Sequence, residues 1–381
     1  MRTKLNCAFC KSKLRSSALK LGKYQPLNIT SKEKKLRLAI SICPKCGLTQ
    51  LQRSFTEAKN FPPEYSFRSG QTKMLDHSFT QLAAKIEEKF PMGGRILDIG
   101  CNDATLLKKF SSKWKKYGID PVAIDPNSLD IEIKNGFYPA TNFDNEQFDV
   151  IVMTNTLAHL SRPFETLENV WTQLKQDGLL VIEVVNIDEM ALLGEFDKFT
   201  HEHKLYLSQE SAKNILLSKG FNIINLEKIQ NHGGSLRILA MKQNSIEVRQ
   251  IDDLTLAKNR LKVINNKRKQ TLKEWKKLCR KLDINKANLI GLGYTNRGAI
   301  LLRNLRISPR FIVDKDGSKA IGRKINKNTQ VISDTEFMKN QNEDSLCIIL
   351  AWHVQDEIIS NYRKKGFRGR FILIIPSIKI V

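Results

Sequence analysis

The sequence predicts an α/β protein: a central domain on a parallel sheet, a small cysteine-bearing module ahead of it and a second α/β domain behind it. Three observations carry that prediction. Apolar runs of strand length alternate with helix-period segments, from RILDIG at 95–100 to GLLVIEVV at 178–185. The alternation restarts after residue 286, beyond a long charged stretch. Two Cys-x2-Cys pairs stand near the N-terminus, where helical periodicity is weak. Strands alternating with helices build parallel sheets, because each crossover returns over a face of the sheet.

Taken in order, residues 1–60 form the cysteine module and 70–245 the first α/β domain. A helix is predicted over 72–89, where Met74, Leu75, Phe79, Leu82, Ala83 and Ile86 recur near helical spacing. RILDIG is a strand ending in a glycine turn. ATLLKKF (104–110) reads as a helix, YGID (117–120) as a second strand and FDVIVMTNTLAHL (148–160) as a third. FETLENVWTQLKQ (164–176) is a helix, and GLLVIEVV another strand. Residues 246–285 are charged, basic and helical, a linker. Residues 286–381 hold the second domain, in ANLIGLGYTNRGAILLRNL, RFIVDKDGS, CIILAW and FILIIP.

The 381 residues are 41% apolar and 27% charged, the profile of a globular protein long enough for sizeable cores. No apolar run reaches the roughly eighteen residues of a membrane span. The first residues lack an apolar signal core, so a cytoplasmic location is expected. The net charge of +24 has two readings, a lysine-rich solvated surface or a preference for anions such as nucleotide diphosphates, anionic lipid or nucleic acid.

Cys7 and Cys10 form one pair, Cys43 and Cys46 the other. Four thiolates on two knuckles suit tetrahedral Zn2+ and leave it no open position, so a structural zinc site is expected. A redox dithiol or unrelated surface cysteines are the alternatives, and a cytoplasmic location disfavours stable disulfides.

RILDIGCNDATLL resembles the first motif of class I methyltransferases. Gly100 lets the backbone approach a ligand closely. Asp98 stands at the strand's end, and Asn102 and Ala104 occupy positions where that motif usually has glycine. Asp120, twenty residues after Gly100, can accept from both ribose hydroxyls of a cofactor. Asp98, Gly100, Asn102 and Asp120 are therefore the candidate contacts to S-adenosylmethionine, with a dinucleotide fold binding NAD as the alternative.

Six histidines occur, and three fall after predicted strands: His159, and His201 and His203 flanking Glu202 in FDKFTHEHKLYLS. Loops past the carboxyl ends of parallel strands are where such folds bind ligands. The HEH spacing is not that of a zinc-protease helix, and on a strand its two histidines would face opposite ways. The loop NHGGSLR offers His232 and Arg237 as substrate contacts, two glycines allowing close approach. A tight turn before LRILAMK is the plainer reading of that loop.

Together, the paired cysteines, DIGCNDATLL, NTLAHL, FDKFTHEHKLYLS, NHGGSLRILA and GLGYTNRG with ILAW and FILIIP, in this order, resemble the sugar-nucleotide C-methyltransferase family over nearly the whole chain. The resemblance implies a zinc-binding N-terminal domain, a class I Rossmann-like methyltransferase domain and a second Rossmann-like C-terminal domain that walls the substrate cleft without binding nicotinamide. It implies methylation at C-3 of a nucleotide-linked 4-keto deoxyhexose, by a monomer. In this reading His203 is the base, Glu202 orients a partner or binds the sugar, and His159 stabilises an enolate or positions substrate. Tyr65 and His201 join His232 and Arg237 as substrate contacts.

The chain departs from the family at Thr200, where a tyrosine is usual, and at Val185 and Asn186, where Pro-Tyr is frequent. The aromatic-rich upstream stretch here reads Tyr65, Ser66, Phe67, Arg68, Ser69. Two other functions stay open. One is an O- or N-methyltransferase on a sugar or related small molecule. The other is a basic zinc-ribbon protein that binds nucleic acid without catalysis, which the lack of an aromatic stacking array disfavours.

Overall fold

The computed structural model describes residues 6–14, 17–27, 35–63, 65, 67–122, 130–242, 253–284, 289–340 and 345–381. Residues 246–252 and 285 of the linker, Ser66, and residues 286–288 of the second α/β domain lie outside these. The chain forms two compact units. The first comprises residues 1–17, 40–189 and 202–258, the second 18–39, 190–201 and 259–381. The segments 18–39 and 190–201 thus belong with the C-terminal part of the chain.

The first unit is built on a seven-stranded sheet. Its strands lie in the order Phe221–Ile229, Ser235–Lys242, Leu174–Val185, Phe148–Thr154, Gly94–Ile99, Trp114–Asp120 and Glu132–Asn135. Pairing is parallel from Leu174–Val185 to Glu132–Asn135. Ser235–Lys242 inserts antiparallel on the other side. Chain order reverses between Gly94–Ile99 and Phe148–Thr154, and at such a switch point the turns at the strands' carboxyl ends diverge and leave a crevice. The turns on either side are those that hold Gly100 and His159.

The near-continuous apolar strands are explained by burial on both faces. Leu97, Ile99, Ile151, Met153, Leu180 and Ile182 feed one core, and the alternate residues Ile96, Val150, Val152, Leu179 and Val181 feed another. The predicted helix is Lys73–Lys89, and its buried stripe is Leu75, Ser78, Phe79, Leu82, Ala83 and Ile86. The predicted helix 104–110 is only a single 3-10 turn, Leu107–Lys109. Asn102 and Ala104 hold φ of 52° and 58°, a left-handed entry that stops a helix from starting, and seven residues are too few to nucleate one alone. Leu106, Leu107 and Phe110 are apolar because they fill the core. The helix predicted to 176 stops at Gln173, and the next strand runs the full length Leu174–Val185.

The second unit carries its own seven-stranded sheet, ordered Lys324–Asn326, Thr329–Ser333, Phe311–Asp314, Leu289–Leu292, Leu346–Ile349, Arg370–Leu373 and Lys379–Ile380. Its five central strands pair in parallel. Cys347 is buried in the core of this sheet. The described part of the basic linker forms one helix, Leu254–Lys281. Among the described residues no helix is long and apolar enough to cross a membrane.

Candidate active site

The turn after Gly94–Ile99 packs closely against the segment that follows Phe148–Thr154. Gly100 has φ of 85°, and a Cβ there would lie 2.2 Å from Thr156 Oγ1, so only glycine fits. Asn102 donates its backbone N–H to Asp120 Oδ2 at 2.9 Å, and Val122 donates to Oδ1 at 2.8 Å. Asn102 keeps the left-handed turn that glycine usually supplies, and its side chain ties down a second segment. Its Oδ1 accepts from Ser69 N–H at 3.1 Å, and its Nδ2 donates to the Phe67 carbonyl at 3.2 Å.

Three carboxyl groups gather behind this turn. Burial, with the Asp120 and Glu183 charges, pushes Asp98 up to about 8. Burial also raises Asp120 and Glu183. Asp98 Oδ1 is buried without a hydrogen-bond partner among the described residues. No cation is among the influences on Asp98, so its surroundings favour a cationic ligand, which would restore its ionised form. S-adenosylmethionine carries a sulfonium and an ammonium, so Asp98, Asp120 and the Gly100 cradle fit it.

The histidine cluster lies on residues of the same unit. His159 sits in the turn after Phe148–Thr154, and its Nδ1 is 3.0 Å from the Glu202 carbonyl. A carbonyl only accepts, so Nδ1 carries the proton and Nε2 keeps its lone pair. Burial lowers His159 to about 4, so the ring is neutral near pH 7. It meets His203 edge-on at 4.6 Å between centroids and Phe61 at 5.1 Å. A neutral ring with its only N–H engaged cannot donate to an enolate oxygen. His159 suits accepting a substrate hydroxyl instead. Burial pushes Glu202 up to about 7, which makes its carboxylic acid form available as a donor.

Tyr65 extends the cluster toward the cofactor turn. Its ring packs on Phe61 at 5.2 Å. Burial raises its hydroxyl, and the Glu202 and Asp120 charges raise it further. Arg68 clamps this segment by donating to the Tyr65 and Phe67 carbonyls at 2.7 and 2.8 Å. Tyr65, His159, Glu202 and His203 are thus brought together. Phe61, Arg68 and Thr156 were not anticipated; Phe61 against His159 and Thr156 against Gly100 act through contacts between segments distant in sequence, which no local pattern marks, whereas Arg68 braces its own segment.

The other expected contacts have different surroundings. Arg237 is buried, and its Nε donates to Glu183 Oε1 at 2.6 Å, its Nη2 to Ser78 Oγ at 3.0 Å and its Nη1 to Glu227 at 3.2 Å. The guanidinium is fully engaged in holding the sheet to the helix Lys73–Lys89. His232 occupies a left-handed turn with φ of 55°, followed by Gly233 and Gly234, also at positive φ. The plainer reading of that loop accounts for both glycines. His201 belongs to the second unit, fully buried, with Nδ1 2.5 Å from the Tyr24 hydroxyl. The HEH stretch is a bend rather than a strand. Asn186 Oδ1 accepts from Asp188 N–H at 2.9 Å, capping the start of the helix Ile187–Leu193.

The sulfurs of Cys7, Cys10, Cys43 and Cys46 all lie within 4.8 Å of one another. Four thiolates on one zinc at about 2.3 Å stand roughly 3.8 Å apart. The Cys7–Cys46 and Cys10–Cys43 separations, 3.7 and 3.4 Å, match that spacing. Backbone N–H groups of Lys45 and Cys46 point at the Cys43 sulfur, as a knuckle requires to stabilise thiolate charge.

Comparison with known proteins gives two domain matches. Residues 71–226 match the family described as "Methyltransferase domain" and residues 230–376 the "C-methyltransferase C-terminal domain". C-methyltransferase NovU of Streptomyces niveus is 24% identical over 375 residues, covering 90% of this chain and 87% of its own. Ubiquinone biosynthesis O-methyltransferase of Roseobacter denitrificans is 25% identical over 180 residues, covering 40% of this chain and 71% of its own. Among solved structures, a S-adenosylmethionine-dependent methyltransferase from Clostridium acetobutylicum superposes with a TM-score of 0.36 at 12% identity, over 46% of this chain and 94% of that one.

Proposed function

Because the chain is an S-adenosylmethionine-dependent methyltransferase and belongs with the C-methyltransferases, we propose that its acceptor is a carbon beside a ketone on a nucleotide-linked deoxysugar. The observation that carries this reading is the edge-to-face contact of two imidazoles, His159 and His203, with His159 bonded to the backbone of Glu202, whose carboxyl is raised by burial. Methylating oxygen or nitrogen needs only a lone pair freed of its proton. Methylating carbon also needs an enolate, hence a base and a donor to the forming oxyanion.

When bound, S-adenosylmethionine supplies an electrophilic methyl group whose leaving group departs neutral. The chain does the rest. His203 removes the proton next to the ketone. Glu202, held protonated by burial up to about 7, donates to the oxygen that gains charge. His159, with Nδ1–H fixed on the Glu202 carbonyl, presents Nε2 to a sugar hydroxyl. Tyr65, whose hydroxyl is raised by both the Glu202 and the Asp120 charges, serves the junction of acceptor and cofactor in this reading. The four cysteines hold a structural Zn2+, and the enzyme works as a cytoplasmic monomer.

The test is isotopic. The purified protein is incubated in D2O with nucleotide 4-keto sugars. Deuterium should enter the carbon next to the ketone, and His203→Ala should stop both exchange and methyl transfer. Exchange at the wild-type rate in His203→Ala would remove His203 as the base. Methylation of a sugar hydroxyl or amine without exchange would move the enzyme to the O- or N-methyl class.

A further inference from the structure

The helix Leu254–Lys281 gathers positive charge. Of its 28 residues, eleven are Lys or Arg and only Glu274 is acidic, a net charge of +10. The whole chain of 381 residues carries +24, so a lysine-rich composition spread evenly along it does not account for this helix.

The charges are ordered as well as numerous. At about 100° per residue, Lys262, Lys269, Lys273, Lys276 and Arg280 fall within an arc of about 60°, and all five are exposed. Leu261, Ile264 and Trp275 are buried on another face, which packs the helix on the protein. The stripe from Lys262 to Arg280 is about 27 Å long at 1.5 Å per residue. Glu274 lies off it and accepts from Gln270 at 2.8 Å. Lys262, Lys269, Lys273 and Lys276 have no ion-pair partner among the described residues. Like charges four residues apart, such as Lys269 with Lys273 and Lys276 with Arg280, weaken a helix. An external array of negative charge relieves that repulsion.

Three features choose among polyanions. The stripe is mostly lysine, a point charge on a flexible stem that needs no matching geometry, whereas the arginine fork reads phosphates and base edges. Arg268, elsewhere on the helix, is engaged by Asn265 and Asn304. The helix's aromatic residue, Trp275, is buried, so it offers no ring on which a base can stack. Leu256 and Val263, two turns apart on the stripe's flank, are each 42% exposed. Apolar atoms beside a row of lysines suit a helix that lies on a bilayer, its charges on anionic headgroups. We propose that the basic stripe of this helix docks the chain on the surface of an anionic phospholipid bilayer. The attachment is peripheral and electrostatic, and it does not rest on the identity of the methyl acceptor.

The test is co-sedimentation of the full chain with vesicles of phosphatidylcholine alone and of phosphatidylcholine with about one-third phosphatidylglycerol. The parent should bind the anionic vesicles at physiological salt, leave the neutral ones, and be released at about 1 M salt, where the Debye length falls to roughly 3 Å. Lys262→Glu, Lys269→Glu, Lys273→Glu and Lys276→Glu, combined, should weaken binding by about tenfold or more, while S-adenosylmethionine binds as before. The same four positions changed to Gln remove charge without adding acid, and give the reading if the Glu variant fails to fold. Lys315→Glu, Lys327→Glu, Lys339→Glu and Lys364→Glu, combined, change net charge equally at exposed lysines outside the helix, and should keep most of the binding. Anionic vesicles left unbound by the parent overturn the proposal, and so do equal losses in the two Glu variants, which would make net charge the cause. Tighter binding to an RNA or DNA duplex than to anionic vesicles, lost only when the stripe is changed, overturns it in favour of a nucleic-acid face.

Discussion

Replacing Arg237 by methionine should destabilise the protein far more than it weakens substrate binding. Arg237 and Glu183 side chains are 3% and 0% exposed and meet at 2.6 Å. They are also register partners on adjacent antiparallel strands. Removing one member of a buried pair leaves the other charge without compensation, at a cost of about 3–5 kcal/mol, a large share of the roughly 5–15 kcal/mol that holds a domain folded. The pH dependence follows from Glu183. Its carboxyl is already raised by burial, with Arg237 as the main opposing influence, so the variant raises it further. A carboxyl raised on folding adds stability below its unfolded value of about 4.5 and loses it as pH climbs. The deficit of Arg237→Met should therefore be small near pH 4.5 and grow toward pH 8, and urea unfolding at both values measures it. Glu183→Gln with Arg237→Met should recover most of the loss. Wild-type stability in Arg237→Met, together with a raised KM for the acceptor, would falsify the structural role and return Arg237 to the substrate.

Two further outcomes are expected. Burial lifts Glu202 to about 7, so its contribution to stability is present below about 4.5 and disappears as pH rises to 7; Glu202→Gln should melt higher than the parent at pH 8, match it near pH 4.5, and turn over more slowly, whereas equal melting at both pH values would show that the carboxyl is not buried in this way. Native mass spectrometry should find one zinc per chain, lost in Cys43→Ser with a lowered melting temperature, and a metal-free parent of unchanged stability would reduce the four sulfurs to a thiol cluster.

What could be seen in the sequence were features whose cause is local. The helix Lys73–Lys89 follows from apolar spacing, and the strands of the parallel sheet from their length and apolar content. The cysteine cluster follows from knuckle spacing. The features that stayed hidden depend on partners far along the chain. ATLLKKF has helical composition, yet two left-handed residues ahead of it and a core that takes Leu106, Leu107 and Phe110 leave one 3-10 turn. NHGGSLR looks like a ligand loop because arginine beside glycine often is one, but Glu183 on the neighbouring strand engages the guanidinium. His201 and His203 look like a pair, yet Tyr24 draws His201 to the second unit and His203 packs against His159. No single-sequence signal places residues 18–39 and 190–201 with the C-terminal unit.

The three carboxyl groups near Gly100 show how the fold divides labour among residues of one chemical type. Glu183 is neutralised by Arg237. Asp120 is held by two backbone N–H groups that stiffen the turn. Asp98 has neither aid, and burial beside the other two drives it to about 8. Of the three, Asp98 therefore gains most from the arrival of positive charge. A donor bearing a sulfonium and an ammonium brings that charge itself. On the proposed reading, donor binding beside Asp98 should release a proton from it near neutral pH and turn an unfavourable burial into an attraction; proton uptake or release measured by calorimetry of S-adenosylmethionine binding in two buffers of different ionisation enthalpy tests this, and no proton release would refute it.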